Sequence, residues 1–417
     1  MPYEEEQEAI GRRIRRQRLR LGMAQADLAH AVGKTQGWLS KVERGRQELD
    51  RTGMISQIAQ ALHCHPNDLI DRPYGSTTAE SGQWQASAAA ILRELRRYDL
   101  TPLFDGQPRP TGELWQDTRR LHRLRDAAAN IAIMRSLPDL LRESRALAEV
   151  ATGHEREEAF GVYAVCCKFA HTAAHALGHP ELIATACERA SWAAQRSGDP
   201  VLPAVADWMR VWDMWATADW DDAIALADKA MRGIEDLYEQ GDPLAIRAWG
   251  SLQLRSAVSA ARANNAAESD HRLSLARQAA SRSETQAGPP TFDRHSLTFT
   301  RGNVQIHGIN VALEMSDQTT ALDLNKKLPQ AQLEALPHSR RGHHRMDLAR
   351  AFLWNGDREK ALGQLLEAER LAPQLVRNHP IARATLRRIV YAERASTRER
   401  LRGLSARFSL SDQELFR

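Results

Sequence analysis

The chain after Trp84 has a helical composition that is broken at nearly regular intervals by glycine, asparagine and proline. Alanine, leucine, arginine and glutamate dominate it, without the alternation of β-branched residues that strands require. The breaks are Gly178-His179-Pro180, Gly198-Asp199-Pro200, Gly241-Asp242-Pro243, Asn264-Asn265, Gly288-Pro289-Pro290 and Gly356-Asp357. Several lie about 20 to 24 residues apart, the length of one helix and its turn, so a pair gives a period of roughly 40 residues. This period predicts helix pairs stacked as an α-solenoid, with a non-repeat helical bundle as the alternative.

Two segments of this region resemble the second half of a tetratricopeptide repeat. They are ADWDDAIALADKAM (218–231) and NGDREKALGQLLEAERLAP (355–373). Each begins with a polar turn and an acidic first helical turn, and continues with alanine and leucine at helical spacing. The other units are degenerate, so the number of repeats stays open.

The first seventy residues contain five short segments with helical periodicity. In the first segment, Ile10, Ile14 and Leu21 fall near one face. The second and third segments have the spacing of a helix-turn-helix, in which a small residue lies where the helices approach and a glycine makes the turn. Ala29 and Gly33 meet these two requirements. Four apolar residues are expected to hold the pair against the rest of the domain: Leu28, Val32, Leu39 and Val42.

Positive charge is concentrated in the same segment. Between Ile10 and Arg46, ten arginine or lysine side chains face only two carboxylates, those of Asp27 and Glu43, whereas the whole chain has a formal net charge of only +4. A basic block of this kind attracts phosphates. A solvated helical face is the alternative.

Residues 18–49, RLRLGMAQADLAHAVGKTQGWLSKVERGRQEL, resemble the phage-repressor, or Xre, family of helix-turn-helix domains. The likeness rests on a G-x-x-Q-x-x-L-A-x-x-x-G core from Gly22 to Gly33 and on an S-K-V-E-R-G ending from Ser40 to Gly45, and it extends over about residues 7–72. It implies a five-helix domain whose third helix enters the major groove of double-stranded DNA.

The resemblance also implies individual roles. Gln25 would contact a phosphate and brace the recognition helix. Base edges would face Gln36, which can pair with adenine, Gly37, and Lys41, which can reach guanine. The positions expected near the DNA backbone or a thymine methyl group are Thr35, Trp38, Arg44, Arg46, Arg12 and Arg16.

Two positions in this segment could have a structural role, and two others depart from the family pattern. The ring of Trp38 could pack against the fourth helix instead of contacting DNA. Glu43 is expected to pair with a nearby arginine rather than to read DNA. Gly37 replaces a residue that usually carries a reading side chain, so fewer direct base contacts are expected. Lys34 occurs where many members have an apolar or hydroxyl residue.

The sequence therefore predicts an all-α protein in three parts. Residues 1–72 form the DNA-binding domain, residues 73–83 form a Gly/Ser/Thr-rich linker, and residues 84–417 form a tetratricopeptide-like sensor and dimerisation domain. This order of domains resembles a broad group of bacterial regulators, including many from actinobacteria. The resemblance implies DNA binding under the control of a ligand or partner. Because a DNA domain of about 70 residues has little surface for dimerisation, we expect the helical half to form a homodimer that binds operator half-sites about 34–36 Å apart.

A cluster of aromatic residues predicts where the ligand binds. Trp208, Trp212 and Trp215 follow the i, i+4, i+7 spacing of one helix face, and Trp249 lies in a neighbouring helix with Arg247 close by. Such a group could line a pocket for a small organic molecule or a short peptide. The same stripe could equally be solenoid core.

Other functions find little support in the sequence. No phosphate-binding loop, dinucleotide fingerprint, nucleophile elbow or zinc-protease motif occurs, so an enzyme is not expected. Cys167, His171 and His175 share a helix face, but one helix rarely completes a zinc site, and no metal or cofactor is assigned. The four cysteines form no paired framework and are expected to be reduced. No apolar run is long enough to span a membrane, and the acidic start is no signal peptide, so a cytoplasmic protein is expected.

Two functions are compatible with this sequence. The first is a transcriptional regulator whose helical domain senses a small molecule or short peptide. The alternative is a DNA-tethered scaffold whose repeats dock a partner protein. A closed aromatic pocket favours the sensor, and an open groove with a polar floor favours the scaffold.

Overall fold

The structure is a computed structural model that describes residues 2–47, 49, 52–64, 66–69, 79–285, 293–391, 404, 407 and 408. Every regular element in these ranges is a helix, which confirms the predicted all-α fold. The helices are α1 (Pro2–Arg20), α2 (Gln25–Ala31), α3 (Gln36–Glu43), α4 (Thr52–Ala61), α5 (Pro66–Leu69), α6 (Ala79–Arg96), α7 (Thr111–Asp126), α8 (Asn130–Val150), α9 (Gly153–Leu177), α10 (Pro180–Ala194), α11 (Leu202–Met214), α12 (Trp220–Arg232), α13 (Glu235–Glu239), α14 (Pro243–Arg262), α15 (Ala266–Thr285), α16 (Arg301–Glu314), α17 (Gln318–Lys326), α18 (Gln330–Glu334), α19 (His338–Trp354), α20 (Arg358–Leu371), α21 (Pro373–Asn378) and α22 (Pro380–Tyr391).

Helices α1 to α5 enclose a small apolar core of their own. Its members include the four apolar residues predicted from the helix-turn-helix spacing, together with Ile10 and Ile14. Leu21 does not join them, since it follows the end of α1 and is 42% exposed. The inward position in the last turn of α1 belongs instead to Arg18, which is buried. Periodicity could not predict that Arg18 is buried in place of Leu21, because a buried arginine requires a buried acidic partner from another helix.

Helix α1 crosses α3 at very close range. Gly11 is buried at the crossing, and a Cβ atom there would overlap the carbonyl oxygens of Val42 and Glu43. The sequence suggested Ala29 as the point of closest helix approach, and Ala29 is indeed buried between helices. The tighter contact at Gly11 anchors α3 directly on α1.

Helices α6 to α22 stack as a solenoid. Most long helices pack against their successor, as in α8 on α9, α9 on α10 and α14 on α15. Several also pack against the helix after that, as in α7 on α9, α9 on α11 and α14 on α16. This pattern is typical of helix repeats, in which each unit contacts only its neighbours. The helical repeat region is therefore confirmed.

The predicted breaks end and start helices in one recurring way. Three of them are Gly-Asp pairs: Gly198-Asp199, Gly241-Asp242 and Gly356-Asp357. Each glycine has a positive φ of 65°, 84° and 81° respectively, a conformation that costs glycine little. Each aspartate accepts backbone N–H bonds at the start of the next helix. The break at residues 288–290 lies outside the described residues.

The solenoid curls until its C-terminal helices meet its beginning. Helix α21 contacts α8 and α9, and α19 contacts α7. The backbone N–H of Ile131 donates to the side-chain oxygen of Gln374 across this closure, at 3.0 Å. The segment 293–300 lies inside the curl, where Lys168 of α9 donates from Nζ to the carbonyl of Ser296 at 2.6 Å. The solenoid therefore encloses an interior instead of presenting only an open groove.

The predicted linker at residues 73–83 is wrong at its C-terminal end. Helix α6 begins at Ala79, and residues 73–78 lie outside the described residues. One face of α6 is buried through Trp84, Ala88, Ile91 and Leu95. Once this packing has formed the helix, adding residues at its N-terminal end costs little free energy. In the described part of the chain, no helix is both long and apolar enough to cross a bilayer.

Candidate DNA-binding surface and interdomain cavity

The recognition helix α3 presents its predicted DNA-reading residues to solvent. Thr35 precedes the helix, and its Oγ1 accepts the backbone N–H of Trp38 at 3.2 Å, which fixes the first turn. The exposed residues of the predicted DNA surface are Thr35, Gln36, Gly37, Lys41, Arg44, Arg46, Arg12 and Arg16. Their exposure is what contact with DNA requires, and the contacts themselves stay a prediction.

Trp38 is only half-buried. Its ring packs on the core of the DNA-binding domain, and Lys34 Nζ lies 6.0 Å from the ring centroid. The packing role considered for Trp38 therefore accounts for much of its ring, and only its exposed edge could reach DNA.

A buried polar brace joins α1, α2 and α3. Glu43 receives two hydrogen bonds from Arg18, Nε to Oε1 at 2.6 Å and Nη2 to Oε2 at 3.0 Å. Gln25 Nε2 donates to the same Oε2 at 2.7 Å, and Arg18 Nη1 donates to the carbonyl of Met23 at 2.7 Å. Glu43 raises the pKa of Arg18 through these hydrogen bonds. The expected pairing of Glu43 with an arginine and the bracing role of Gln25 are both present in this geometry.

Arg44 is held just past the end of the recognition helix. Its Nε donates to the carbonyl of Ser40 and its Nη2 to the hydroxyl of Ser40, both at 2.9 Å. A cation at this position also interacts favourably with the C-terminal end of the helix dipole. Ser40 thus holds the guanidinium of Arg44 in one orientation.

In the solenoid, the predicted tryptophan stripe surrounds one arginine. The guanidinium of Arg255 lies 4.2 Å, 4.4 Å and 4.8 Å from the ring centroids of Trp208, Trp212 and Trp215. Trp208 is part of the buried core, whereas Trp212 and Trp215 are only partly buried, so the stripe is solenoid core at one end and partly open at the other. Cation–π contacts of this kind stabilise a guanidinium away from water.

Arg247 and Trp249 do not belong to this group. Trp249 stacks on Tyr238 with ring centroids 4.4 Å apart, and Arg247 Nη1 lies 4.0 Å from Asp293 Oδ2. Six residues separate Trp249 from Arg255 on α14, which turns its side chain well away from that face at about 100° per residue. Arg247 is more than two turns from Arg255 along the same helix.

The three tryptophans and Arg255 line a cavity of about 680 Å³ between the solenoid interior and the DNA-binding domain. The DNA-binding domain contributes part of the wall through α1, α4, α5 and the segment before α4: Ile10, Leu49, Ile55, Ser56 and Pro66. Outside the cavity, Gln60 Nε2 donates to Asp219 Oδ1 at 3.3 Å across the same interface. The sequence did not predict a cavity shared by the two domains.

The wall of this cavity carries an excess of positive charge. Its basic side chains include Arg125, Lys168, Arg255, Arg262 and Arg340. Burial and neighbouring arginines lower the pKa of Arg255, and burial together with Arg125 lowers the pKa of Arg340 to about 10. Guanidinium groups nevertheless keep their charge in proteins, so the lowered pKa values record an unfavourable crowding of cations.

Acidic and neutral groups compensate this charge only in part. Glu314 lies 3.5 Å from Arg262 and 3.6 Å from Arg350. Burial raises the pKa of Asp347 to about 6, and Asn310 donates to it at 3.1 Å.

Histidines on the wall stay neutral. Burial lowers the pKa of His175 and His307 to about 3 and that of His379 to about 4. The neutral rings can donate or accept hydrogen bonds without adding charge.

The face formed by Cys167, His171 and His175 is packed rather than arranged for a metal. His175 stacks on Trp212 with centroids 3.7 Å apart, and His171 meets the same ring edge-on at 5.4 Å. Within the described ranges, no group of three His, Cys, Asp or Glu side chains could hold a metal ion. Cys64, Cys166, Cys167 and Cys187 are free thiols.

Comparison with known proteins identifies the N-terminal part. Residues 9–72 match the family described as a helix-turn-helix domain, the class of domain that binds DNA. This match lies inside the predicted domain of residues 1–72. No curated protein sequence matches the chain.

Among solved structures, a similar one is PlcR from Bacillus thuringiensis, determined in complex with the peptide PapR7 and DNA. It is 12% identical, the alignment spans 65% of this chain and 94% of the PlcR chain, and the TM-score is 0.27. So distant a likeness does not transfer the ligands of PlcR to this chain.

Proposed function

We propose that this protein is a DNA-binding transcriptional regulator whose DNA affinity is set by a small molecule bound in the interdomain cavity. The observation that carries the proposal is the shared wall of the cavity, since α1, α4 and α5 contribute to it together with the solenoid. A ligand that contacts both domains favours one arrangement of them over another. Typical coupling energies between two sites are about 1–3 kcal/mol, or roughly 5- to 150-fold in affinity.

The position of the DNA surface supports this proposal. The predicted reading residues on α3 are exposed, whereas Ile10, Ile55 and Pro66 face the cavity from other helices. Ligand and DNA therefore use different surfaces of one small domain, and neither needs to displace the other. A change in how α1 and α4 sit on the solenoid would reorient α3.

The shape of the cavity favours the sensor over the partner-docking scaffold. A volume of about 680 Å³ falls in the range of roughly 300–1,000 Å³ of small-molecule sites. Aromatic rings from α11 form part of the wall, as such sites commonly show. A docked protein would instead need an exposed surface of several hundred Å² on each partner.

Homodimerisation is part of the proposal. A single recognition helix with glycine at position 37 reads few bases, and two copies on adjacent half-sites would double the contacts. Regulator dimers of this kind bind two-fold symmetric sites. Light scattering of the purified protein, with and without a symmetric site, would measure the stoichiometry.

The DNA function is tested with a site selected from random duplex DNA. We expect Gln36→Ala to relax sequence preference and Arg44→Ala to weaken binding to all sequences, with the salt slope lower by about one. Arg210→Ala is the matched control, because Arg210 is exposed on the solenoid, and it should leave binding unchanged. If Gln36→Ala keeps the full preference of the parent protein, α3 is not the reading helix.

A further inference from the structure

Two cationic side chains of the cavity have no acceptor in the described part of the protein. Arg255 is 7% exposed, and among the described residues it makes no hydrogen bond or ion pair, only its three contacts with tryptophan rings. Arg340 likewise has no hydrogen-bond or carboxylate partner within the described ranges. Burial, and after it the neighbouring arginines, lower the pKa of both groups.

Three other cations of the cavity each have an acceptor or a counter-ion in the fold. Arg262 faces Glu314, Lys168 donates to the carbonyl of Ser296, and Arg125 Nη1 donates to Thr298 Oγ1 at 2.7 Å. Arg255 is buried and Arg340 is partly exposed at the cavity wall, and a cation with no acceptor in the protein depends on water or a ligand for its hydrogen bonds. Arg255 and Arg340 differ from these three cations because they have neither an acceptor nor a counter-ion among the described residues.

The surroundings of Arg255 also restrict how it can be satisfied. The rings of Trp208, Trp212 and Trp215 contact its guanidinium and hold it at the cavity wall. The N–H groups of a guanidinium donate in its own plane, and a tryptophan ring cannot accept these hydrogen bonds as an oxyanion does. The N–H groups of Arg255 are therefore available to a ligand. The same three rings offer an apolar surface beside the charge.

From this arrangement we propose that the cavity binds a small organic anion, a carboxylate or a phosphate ester attached to a planar apolar body. Arg255 and Arg340 hold the anionic group, and the tryptophan wall contacts the body. His175 and His307 line the same wall as neutral rings, so they do not add to the charge of the two arginines. The inference rests on the proposed ligand-binding function and specifies the class of ligand.

The test uses the full-length protein and three probes of similar shape: 2-naphthoate, 2-naphthamide and 2-naphthyl phosphate. Binding is measured by titration calorimetry and by quenching of tryptophan fluorescence. We expect at least one of the two anions to bind 10-fold or more tighter than the neutral amide. Which anion binds tighter distinguishes a carboxylate ligand from a phosphate ester.

Variants assign the effect to the cavity. Arg255→Met should remove the preference for the anion, whereas Arg210→Met, which deletes the same charge at an exposed site of α11, should retain it. If Arg255→Met does not fold, Arg340→Met provides the same comparison. Equal affinity for the anions and the amide, no binding of any probe, or an unchanged preference in both cavity variants would overturn the proposal.

Failure of this inference can be told apart from failure of the proposed function, because the probe titrations contain no DNA. If an anion binds as expected and the affinity for the selected DNA site stays the same, the anion site stands and the regulatory role is wrong. If only a neutral compound changes DNA affinity, the regulatory role stands and the anion assignment is wrong.

Discussion

Replacing Glu43 by glutamine tests the polar brace beneath the recognition helix. Glu43 and Arg18 have side chains that are 2% and 7% exposed, and two short hydrogen bonds join them. Glutamine keeps the shape of the side chain but removes the charge, so Arg18 becomes a buried cation without a counter-ion. Breaking a buried ion pair from one side typically costs about 3–5 kcal/mol. Because glutamine retains one acceptor oxygen, we expect the lower end, about 3 kcal/mol.

Hydrogen exchange in the full-length protein measures this loss locally. A cost of about 3 kcal/mol corresponds to roughly 150-fold faster exchange of the amides in α2 and α3, when exchange follows the opening equilibrium. Amides of the solenoid helix α14 are the internal reference and should be unaffected. Gln25→Ala removes only one donor from Glu43 and should cost about 1 kcal/mol.

DNA binding gives a second measure of the same change. Glu43→Gln should weaken binding to all duplexes similarly, because it loosens the position of α3 without altering a reading side chain. The reasoning is refuted if exchange in α2 and α3 rises less than about 5-fold. It is also refuted if Glu43→Gln alters sequence preference as strongly as Gln36→Ala, since Glu43 would then take part in reading.

Three further changes test other parts of the structure. Gly11→Ala forces a methyl group against the backbone of α3 and should lower the free energy of unfolding by about 2 kcal/mol. Gly37→Ala has open space around it and should stabilise α3 by up to about 1 kcal/mol. Thermal unfolding of both variants measures the difference, and equal effects would contradict the close helix contact. In Gly250→Ala the added methyl group would overlap the buried ring of Phe299, which should lower the free energy of unfolding by about 2 kcal/mol. The thermal unfolding midpoint should fall accordingly, and an unchanged midpoint would mean that the ring moves freely. His175 has a pKa lowered to about 3 from 6.5, so the unfolded chain binds its proton more strongly and the free energy of unfolding falls as the pH drops below 6.5. The variant His175→Phe should therefore gain about 1.4 kcal/mol of relative stability between pH 7.5 and pH 5.5, measured by denaturant unfolding, and a pH-independent difference would show that the ring is not held neutral.

Much of the fold is accessible from local sequence. The Gly-Asp breaks determine where helices end and begin, because glycine adopts a positive φ and aspartate caps the next helix within a few residues. The helix-turn-helix is predictable for the same reason, since Ala29, Gly33 and the apolar positions around them act over one or two turns. Trp208 and Trp212 share a face of α11, and Trp215 follows them as the C-cap residue of the same helix.

The predictions that failed depended on contacts between distant elements. The sequence prediction groups Arg247 and Trp249 with the tryptophan stripe because they lie near it along the chain. The helical rotation of α14 instead places Trp249 against Tyr238 and Arg247 near Asp293. Composition extends the linker to residue 83, whereas packing of Trp84 and the residues that follow decides where α6 begins. Leu21 fits the period of α1, yet Arg18 takes the inward position because Glu43 of α3 is there to meet it.

The sequence by itself determined the DNA-binding domain, the helical repeats and the aromatic stripe. Only the tertiary structure brought Arg255 and Arg340 to one cavity and added Ile10 and Ile55 to its wall. These residues are separated by as many as 330 positions, and their meeting depends on the curl of the solenoid and on how α1 and α4 dock against it. The curl of the solenoid and the docking of α1 and α4 result from small rotations between successive packed helices, which accumulate over the whole chain. No local pattern of residues determines the accumulated result.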